Sequence, residues 1–167
     1  MTGWWIMLLD PLEFRAAMRQ WTTGVAIATS FADGFRHGMT VNSFTSITLT
    51  PPMVLVSLAK DTRTHALVEK SGVLAITILA DHQEEISERF AGKLSELADR
   101  FSDVPTFTLV SRAPLIEGGI AFFDCQVKTK IDTGSTTIFL SEVVAVKVEA
   151  DRKPLVYHNR TYFGLQL

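Results

Sequence analysis

The strongest constraint on the fold is a series of short segments rich in Val, Ile and Thr that are separated by turn residues. The first segment, 24–31, ends at the hairpin-type turn Asp33-Gly34. The returning strand is predicted to run through 39–46, until Pro51-Pro52 stops it. Further strands are predicted at 53–59, 73–79, 120–131, 137–148, 154–157 and 162–163. Antiparallel strands in this number, with only short helices between them, predict a mostly β fold of the barrel type.

Short helices are predicted from their capping residues. Asp10, which is followed by proline, begins the first helix, and this helix runs to about residue 20. Asp61 or Thr62 caps the second helix, which ends near residue 70. Asp81 begins the third as part of a capping box, with glutamate at the third helical position, and Gly92 ends it.

The segment 120–131 alternates between apolar and polar residues, as a strand with one solvated face does. The residues expected to face the core are Phe123, Cys125 and Val127. The residues expected to face water are Asp124, Gln126, Lys128 and Lys130. The turn 132–135 then reverses the chain into the long strand 137–148.

Length and charge limit the classes of partner. The 167 residues are 47% hydrophobic, which predicts a single domain over 1–167 with an N-terminal arm at 1–9. A formal net charge of −2 gives no excess to bind a nucleic acid or an anionic membrane. The apolar run 4–9 is far shorter than the roughly 20 residues of a membrane span. The lone Cys125 cannot form an intramolecular disulfide, so a cytoplasmic protein is expected.

Most catalytic signatures are missing from the sequence. The four histidines are scattered without metal-ligand spacing, so no metal site is expected. Neither a Gly-x-Ser-x-Gly elbow nor a Gly-x-Gly-x-x-Gly turn is present. The segment 40–48 instead concentrates hydroxyl and amide side chains that suit a phosphate or a polyol. An ordinary edge strand with Thr and Ser on its solvent face is the alternative interpretation of this segment.

Several short motifs follow one another along the chain. Thr-Val-Asn-Ser-Phe-Thr-Ser at 40–46 is followed by Pro-Pro at 51–52, and Arg-Phe-Ala-Gly stands at 89–92. Weaker matches at 14–16, 23–26, 121–125 and 154–157 extend the likeness over nearly the whole chain after about residue 10. In these motifs the chain resembles the flavin reductase family, whose fold is the FMN-binding split barrel, an antiparallel split β-barrel. That family includes the small reductase components of two-component flavin monooxygenases.

The resemblance implies an NAD(P)H-dependent flavin reductase, an oxidoreductase that transfers hydride from NADH or NADPH to FMN or FAD. Reduced flavin would then pass to a partner monooxygenase or to oxygen. The resemblance also implies a homodimer with the flavin at the subunit interface. No side chain is expected to act as an acid or base, because hydride transfer needs the two rings stacked and aligned.

The family's flavin contacts carry over onto three segments of this chain. They are Thr40, Val41, Asn42, Ser43, Phe44 and Thr45, then Ser57, Leu58 and Ala59, then Phe90, Ala91 and Gly92. The polar stretch after the Pro-Pro strand resembles the family's phosphate environment, with Lys60, Arg63 and Thr64 as donors.

One turn departs from the family. Many members carry Gly-Asp-His before the last long strand, where this chain has Gly134, Ser135 and Thr136. Thr136 therefore stands at the position of the histidine on the nicotinamide side, and His158 and Arg160 are further candidates for that side. The departure keeps an alternative open, a flavin-binding protein that holds FMN as a prosthetic group with little nicotinamide turnover. A structural barrel without a cofactor would require the match at 40–46 to be accidental.

Overall fold

A seven-stranded antiparallel sheet carries most of the chain. The computed structural model describes residues 9–93, 99–149 and 151–165, so 1–8 of the predicted N-terminal arm lie outside the described residues. In chain order the strands are β1 (Thr23–Gly24), β2 (Ala26–Ala32), β3 (Phe35–Val41), β4 (Thr45–Leu49), β5 (Pro52–Ala59), β6 (Val73–Ile78), β7 (Thr106–Phe107), β8 (Leu115–Ile116), β9 (Ala121–Asp132), β10 (Thr136–Val148), β11 (Leu155–His158) and β12 (Thr161–Gly164).

The large sheet has the order β3-β2-β6-β9-β10-β5-β4, and a smaller sheet has the order β1-β11-β12. All the pairings are antiparallel, which confirms the predicted mostly β architecture. The consecutive strands β3 and β4 lie at opposite edges of the large sheet and do not pair. The barrel is therefore split between them.

The prediction of one continuous strand through 39–46 was wrong. β3 ends at Val41, and the chain leaves the sheet at 42–44 before β4 begins. The break follows from the split, because the chain must cross from one sheet edge to the other within these residues. Ser43 anchors the crossing, since its Oγ donates to the Ser57 carbonyl (3.0 Å) and accepts from the Ser57 amide (3.1 Å).

Two apolar clusters support the region of this crossing. One lies against the large sheet and uses every second residue of β5, as the pleat of a strand requires. The other lies beneath the small sheet and contains Ile27, Leu79, Phe90 and Leu155, all fully buried. Burying one such side chain stabilises the fold by about 1.5–3 kcal/mol. Phe90 therefore fixes the chain segment on either side of it.

The helices are α1 (Pro11–Met18), α2 (Arg63–Ser71) and α3 (Glu84–Glu88), and α3 continues into a π-helical turn, Arg89–Lys93. Asp10 and Thr62 cap α1 and α2 as predicted. The cap of α3 was predicted wrongly, because Gln83 and not Asp81 precedes the helix. The Gln83 side chain makes no cap; it accepts from the Ala80 amide and donates to the Glu117 carbonyl. None of the described helices combines the length and hydropathy needed to cross a membrane.

The alternation on β9 also needs one correction. Asp124 was predicted to face water but is fully buried. Its Oδ2 accepts from the backbone amides of Val110 (2.7 Å) and Ser111 (2.8 Å), and these bonds replace those to water. Gln126, Lys128 and Lys130 face water as predicted. Cys125 faces the core, and its burial raises the pKa of the thiol to about 12.

Candidate functional site

A groove follows the crossing between β3 and β4 and consists of three adjoining clefts. The largest, which we call the ring cleft, has a volume of about 620 Å³ and runs between residues 41–45 and residues 21–26. The tyrosine cleft, of about 190 Å³, shares Val25, Val41 and Asn42 with it. The basic cleft, of about 410 Å³, shares Thr40 and Ala91 with the tyrosine cleft. One ligand could therefore extend through all three.

One wall of the ring cleft is formed by backbone that is not paired in the sheet. Residues 42–44 belong to no strand, so their amides and carbonyls take no part in the sheet ladder. Ser43 is tied to β5 through Ser57, and the Phe44 ring packs on Phe123 with centroids 5.2 Å apart. The loop is thus held from behind while its polar backbone and the exposed Asn42 side chain remain open to a ligand.

Two separate hydrogen bonds to Ser87, one to its backbone and one to its side chain, connect β3 to the tyrosine cleft. Thr40 Oγ1 donates to the Ser87 carbonyl (2.6 Å), and Ser87 Oγ lies 2.9 Å from the Tyr162 hydroxyl. The Tyr162 ring packs on its cross-strand partner Tyr157 with centroids 5.0 Å apart. We call Thr40, Ser87 and Tyr162 the tyrosine relay. Ser87 is fully buried, so the relay fixes the Thr40 hydroxyl against α3.

The basic cleft collects positive charge. Arg63 comes from the start of α2, whereas Arg100 Nη1 donates to the carbonyls of Gly38 (3.0 Å) and Phe90 (2.8 Å). His37 Nδ1 lies 2.8 Å from the Thr64 hydroxyl. Burial, with the positive charges of Arg100 and Arg63, lowers the pKa of His37 to about 4. At neutral pH the imidazole is uncharged. Asp61 also lines the cleft, so its two guanidinium groups leave a formal excess of one positive charge, which suits an anion.

Two glycines allow these segments to approach each other. A Cβ on Gly38 would stand 2.9 Å from Thr29 Cγ2 and 3.0 Å from the Phe90 ring, so only glycine lets Phe90 lie against β3. Gly92 has φ +86°, in the left-handed region that favours glycine, and it breaks the helical geometry one residue before the π-helical turn ends at Lys93, next to the predicted end of the helix. Phe90 and Gly92 together place Ala91 beside Thr40.

The structure brings many of the predicted flavin contacts together. Thr40 and Ala91 line both the basic and the tyrosine clefts. The other predicted residues on the groove are Val41, Asn42, Ser43, Phe44 and Thr45 around the ring cleft, with Arg63 and Phe90 in the basic cleft.

Other predicted residues lie behind the groove. Leu58 is fully buried in the core, and Ser57 supports Ser43 from β5. Thr64 is buried beneath His37. Lys60, at the end of β5 after Ala59, donates to Asp132 (2.7 Å), and this contact lowers the pKa of that carboxyl group. Burial therefore closes Leu58 and Thr64 to a ligand, whereas Ala59 is half-buried and Lys60 is exposed at the end of β5.

The candidates for the nicotinamide side are separated. Thr136 opposes Ala59 across β10 and β5, and its Oγ1 lies 2.5 Å from Thr133 Oγ1. His158 Nδ1 lies 2.9 Å from the hydroxyl of Thr22, and Thr22 lines the ring cleft. Arg160 lines a further cleft beside α1.

Sequence reasoning missed the residues that reach the groove from distant parts of the chain. They are His37, Ser87, Arg100, Tyr157 and Tyr162. The two tyrosines had a usable signal, since they flank a short turn and so form a cross-strand pair. No local signal in the sequence marks Arg100, because its bonds to the carbonyls of Gly38 and Phe90 exist only in the folded chain. Within 9–93, 99–149 and 151–165, no three His, Cys, Asp or Glu side chains cluster as metal ligands.

Comparison with known proteins gives a consistent result. The family model for the "Flavin reductase like domain" matches residues 18–166. The chain is 29% identical over 158 residues to the flavin-dependent monooxygenase reductase subunit HsaB of Rhodococcus jostii, covering 95% of this chain and 80% of that protein. It is 33% identical over 153 residues to the FMN reductase (NADH) RutF of Stutzerimonas stutzeri, covering 92% and 87%.

A solved structure has the same architecture. The NADH:FAD oxidoreductase SgcE6 of Streptomyces globisporus, in complex with NAD and FAD fragments, aligns with a TM-score of 0.87 and 30% identity. The alignment covers 95% of this chain and 96% of that one. The likeness therefore extends over the whole sheet and the groove beside it.

Proposed function

The chain belongs to the flavin reductase family, and we propose that its groove is where hydride passes from NADH to a flavin. The observation that carries this placement is the order of surfaces along the groove. The backbone loop at 42–44 lines the ring cleft, the Thr40 hydroxyl lies in the middle, and the basic cleft lies at one end. An uncharged planar ring with an anionic tail matches this order of apolar, polar and positively charged surfaces.

The residues present fit a flavin nucleotide. The amides around Asn42 and Ser43 suit the carbonyl oxygens and nitrogens of a flavin ring, and the apolar side chains of the ring cleft suit its faces. Arg63 and Arg100 suit its phosphate. A bound flavin supplies the redox chemistry, since it accepts a hydride directly.

The protein's own contribution is orientation. The tyrosine relay fixes the Thr40 hydroxyl, and Ser57 fixes Ser43, so the loop presents one arrangement of polar groups to the ring. The buried cluster beneath Phe90 excludes water from below the groove. Alignment of two stacked rings is sufficient for hydride transfer, so no side chain needs to gain or lose a proton.

The names of the relatives support NADH as the donor and support both FMN and FAD as acceptors. They also support an oxygenase component as the consumer of reduced flavin. A homodimer is part of the proposal, because the edge strand β4 is exposed along its whole length and Leu49 on it is 88% exposed. A cytoplasmic location belongs to the proposal as well, since the only cysteine forms no disulfide.

The alternative is a flavin-binding protein with little nicotinamide turnover. The turn at Thr136 favours it, because a threonine stands where many members of the family carry histidine. Thr136→His is the direct test. A faster NADH-dependent rate in this variant would mean that the turn limits catalysis, and an unchanged rate would remove this explanation.

Flavin titration followed by absorbance tests the placement of the flavin. We expect Ser43→Ala to weaken FMN binding by about two- to tenfold, because the 42–44 loop loses its tie to β5. Ser102→Ala is the matched control, since Ser102 is exposed and lines none of the clefts of the groove. Equal effects of the two substitutions would contradict the placement.

A further inference from the structure

A fourth cleft, the arginine cleft, opens beside the ring cleft with a volume of about 330 Å³. Arg15, Arg19 and Arg160 line it together with Trp21 and Tyr157. We propose that this cleft binds the phosphate groups of the nicotinamide dinucleotide. The inference rests on the proposed function, which requires a nicotinamide donor, and it adds the part of the protein that recognises the donor.

The charge of the cleft is uncompensated. Within the described part of the chain, the side chains of Arg15, Arg19 and Arg160 make neither an ion pair nor a hydrogen bond. The lining residues that the structure describes include no Asp or Glu. Three guanidinium groups repel one another unless an anion lies between them, and the protein as a whole has a net charge of −2. This local concentration of positive charge therefore suits an anionic ligand.

The backbone places these arginines independently of their side chains. Arg15 and Arg19 stand four residues apart at the end of α1, so they project from the same helix face. The Asn159 amide donates to the Arg19 carbonyl (3.0 Å), which joins α1 to the turn between β11 and β12. Arg160 lies in that turn with φ +67° and projects toward the same cleft. Exchanging any of these side chains leaves the joining contact intact.

The chemistry of the cleft suits a nucleotide. A guanidinium fork matches phosphate oxygens in bidentate geometry. Trp21 is 68% exposed, and its indole offers a flat surface on which a base can stack. The arginine cleft shares Trp21 and Asn42 with the ring cleft and Tyr157 with the tyrosine cleft. A dinucleotide with its phosphates among the arginines can therefore reach the proposed flavin ring.

The two positive regions lie on separate sides of the groove. The basic cleft shares Thr40 and Ala91 with the tyrosine cleft. The arginine cleft shares Asn42 and Tyr157 with it instead. Two anionic ligands that meet at their uncharged rings require such an arrangement. The flavin phosphate and the dinucleotide phosphates then do not compete for the same arginines.

Steady-state kinetics of NADH-dependent FMN reduction test the inference. We expect Arg15→Gln and Arg160→Gln each to raise the KM for NADH about tenfold, with kcat and the KM for FMN unchanged. Arg112→Gln is the matched control, because it removes the same charge from an exposed loop outside these clefts. An unchanged KM for NADH, or a rise confined to the KM for FMN, would overturn the inference.

The same variants with NADPH distinguish which phosphate is bound. Equal rises in KM for NADH and NADPH indicate the pyrophosphate that both donors share. A rise for NADPH alone would mean that the cleft contacts only the 2′-phosphate, which NADH lacks, and would overturn the assignment of the phosphates that both donors share.

Calorimetric titration with ADP-ribose separates this inference from the proposed function. ADP-ribose contains the pyrophosphate but cannot transfer hydride. We expect it to bind the wild-type protein and the Arg112→Gln control equally, and to bind the Arg160→Gln variant about tenfold more weakly. If this loss appears in a protein that never reduces flavin, the cleft is supported and the proposed function fails. If flavin is reduced but ADP-ribose binding is the same in all three proteins, the proposed function stands and the inference fails.

Discussion

The two positive clefts beside the groove differ in how their side chains are held. In the basic cleft, Arg100 bonds two backbone carbonyls and His37 is hydrogen-bonded to a buried threonine. In the arginine cleft, Arg15, Arg19 and Arg160 have no partner among the described side chains. A preorganised cleft loses little side-chain entropy on binding, whereas exposed arginines must be ordered by the ligand. We therefore expect the flavin phosphate to bind with a smaller loss of side-chain entropy than the phosphates of the nicotinamide donor.

The largest expected effect concerns the preorganised cleft. Arg63→Gln should weaken FMN binding by about 10- to 100-fold, because it removes a guanidinium group from the proposed phosphate site. Fluorescence titration with FMN and with riboflavin measures the effect. Riboflavin has no phosphate, so its affinity should be unchanged, and an equal loss for both ligands would place the phosphate elsewhere.

The tyrosine relay joins this cleft to the middle of the groove and should have a smaller effect. Tyr162→Phe and Ser87→Ala each remove one hydroxyl group of the relay and should lower the rate of FMN reduction by about two- to tenfold. Because the two hydroxyl groups serve one hydrogen bond, the double variant should be no slower than either single variant. The matched control is Ser102→Ala, which removes a hydroxyl group from an exposed residue that lines none of these clefts. Additive losses would show that the hydroxyl groups act independently.

Salt should affect the two clefts unequally. The Debye length falls from about 10 Å at 0.1 M to about 3 Å at 1 M salt, so added salt weakens electrostatic attraction. Exposed charges are screened more strongly than partly buried ones. Between these concentrations the KM for NADH should rise a few-fold more than the dissociation constant of FMN. Kinetics and titration in a chloride series measure both quantities. A steeper dependence for FMN would reverse the comparison.

The smallest expected effect is a pH dependence of stability due to His37. An unfolded histidine takes up a proton near pH 6.5, whereas the pKa of about 4 keeps His37 neutral in the folded protein. Below pH 6.5 the unfolded state binds more protons, so the free energy of unfolding falls from pH 6.5 toward pH 4. The slope from this group is below about 1.4 kcal/mol per pH unit, and solvent screening of the half-buried imidazole reduces it further.

The matched variant for this effect is His37→Asn, which keeps a polar group beside Thr64 but does not titrate. Urea unfolding at pH 4.5 and pH 7 should show a smaller difference in stability for the variant than for the wild type. The same difference in both proteins would mean that groups other than His37 cause the acid sensitivity.

Much of the fold could be predicted because its signals are local. Alternating or continuous apolar segments with turn residues between them identified the strands, and Asp10 and Thr62 identified two helix starts. The break at 42–44 could not be predicted in this way. Its hydroxyl-rich sequence is equally compatible with an edge strand, and only the position of β4 at the far edge of the sheet requires the chain to cross.

The residues carried over from the family's contiguous motif lie on the groove, whereas groove residues that only folding brings together were not predicted. The motif at 40–45 and Ala91 led directly to the groove. His37 and Arg100 are distant from each other in the chain, and their proximity depends on Gly38 letting the Phe90 ring lie against β3. Asp124 is a comparable case in the core. Its carboxylate is buried because two backbone amides from a distant loop bond it, and the alternation along the strand does not reveal them.

Anaerobic stopped-flow absorbance tests the central claim most directly. The purified protein, saturated with FMN and separately with FAD, is mixed with NADH and with NADPH, and the absorbance of the oxidised flavin is followed. We predict rapid bleaching by NADH with at least one flavin, at a rate that saturates with NADH concentration. Tight flavin binding without bleaching by either nicotinamide would contradict the account and would support the non-catalytic flavin-binding protein instead.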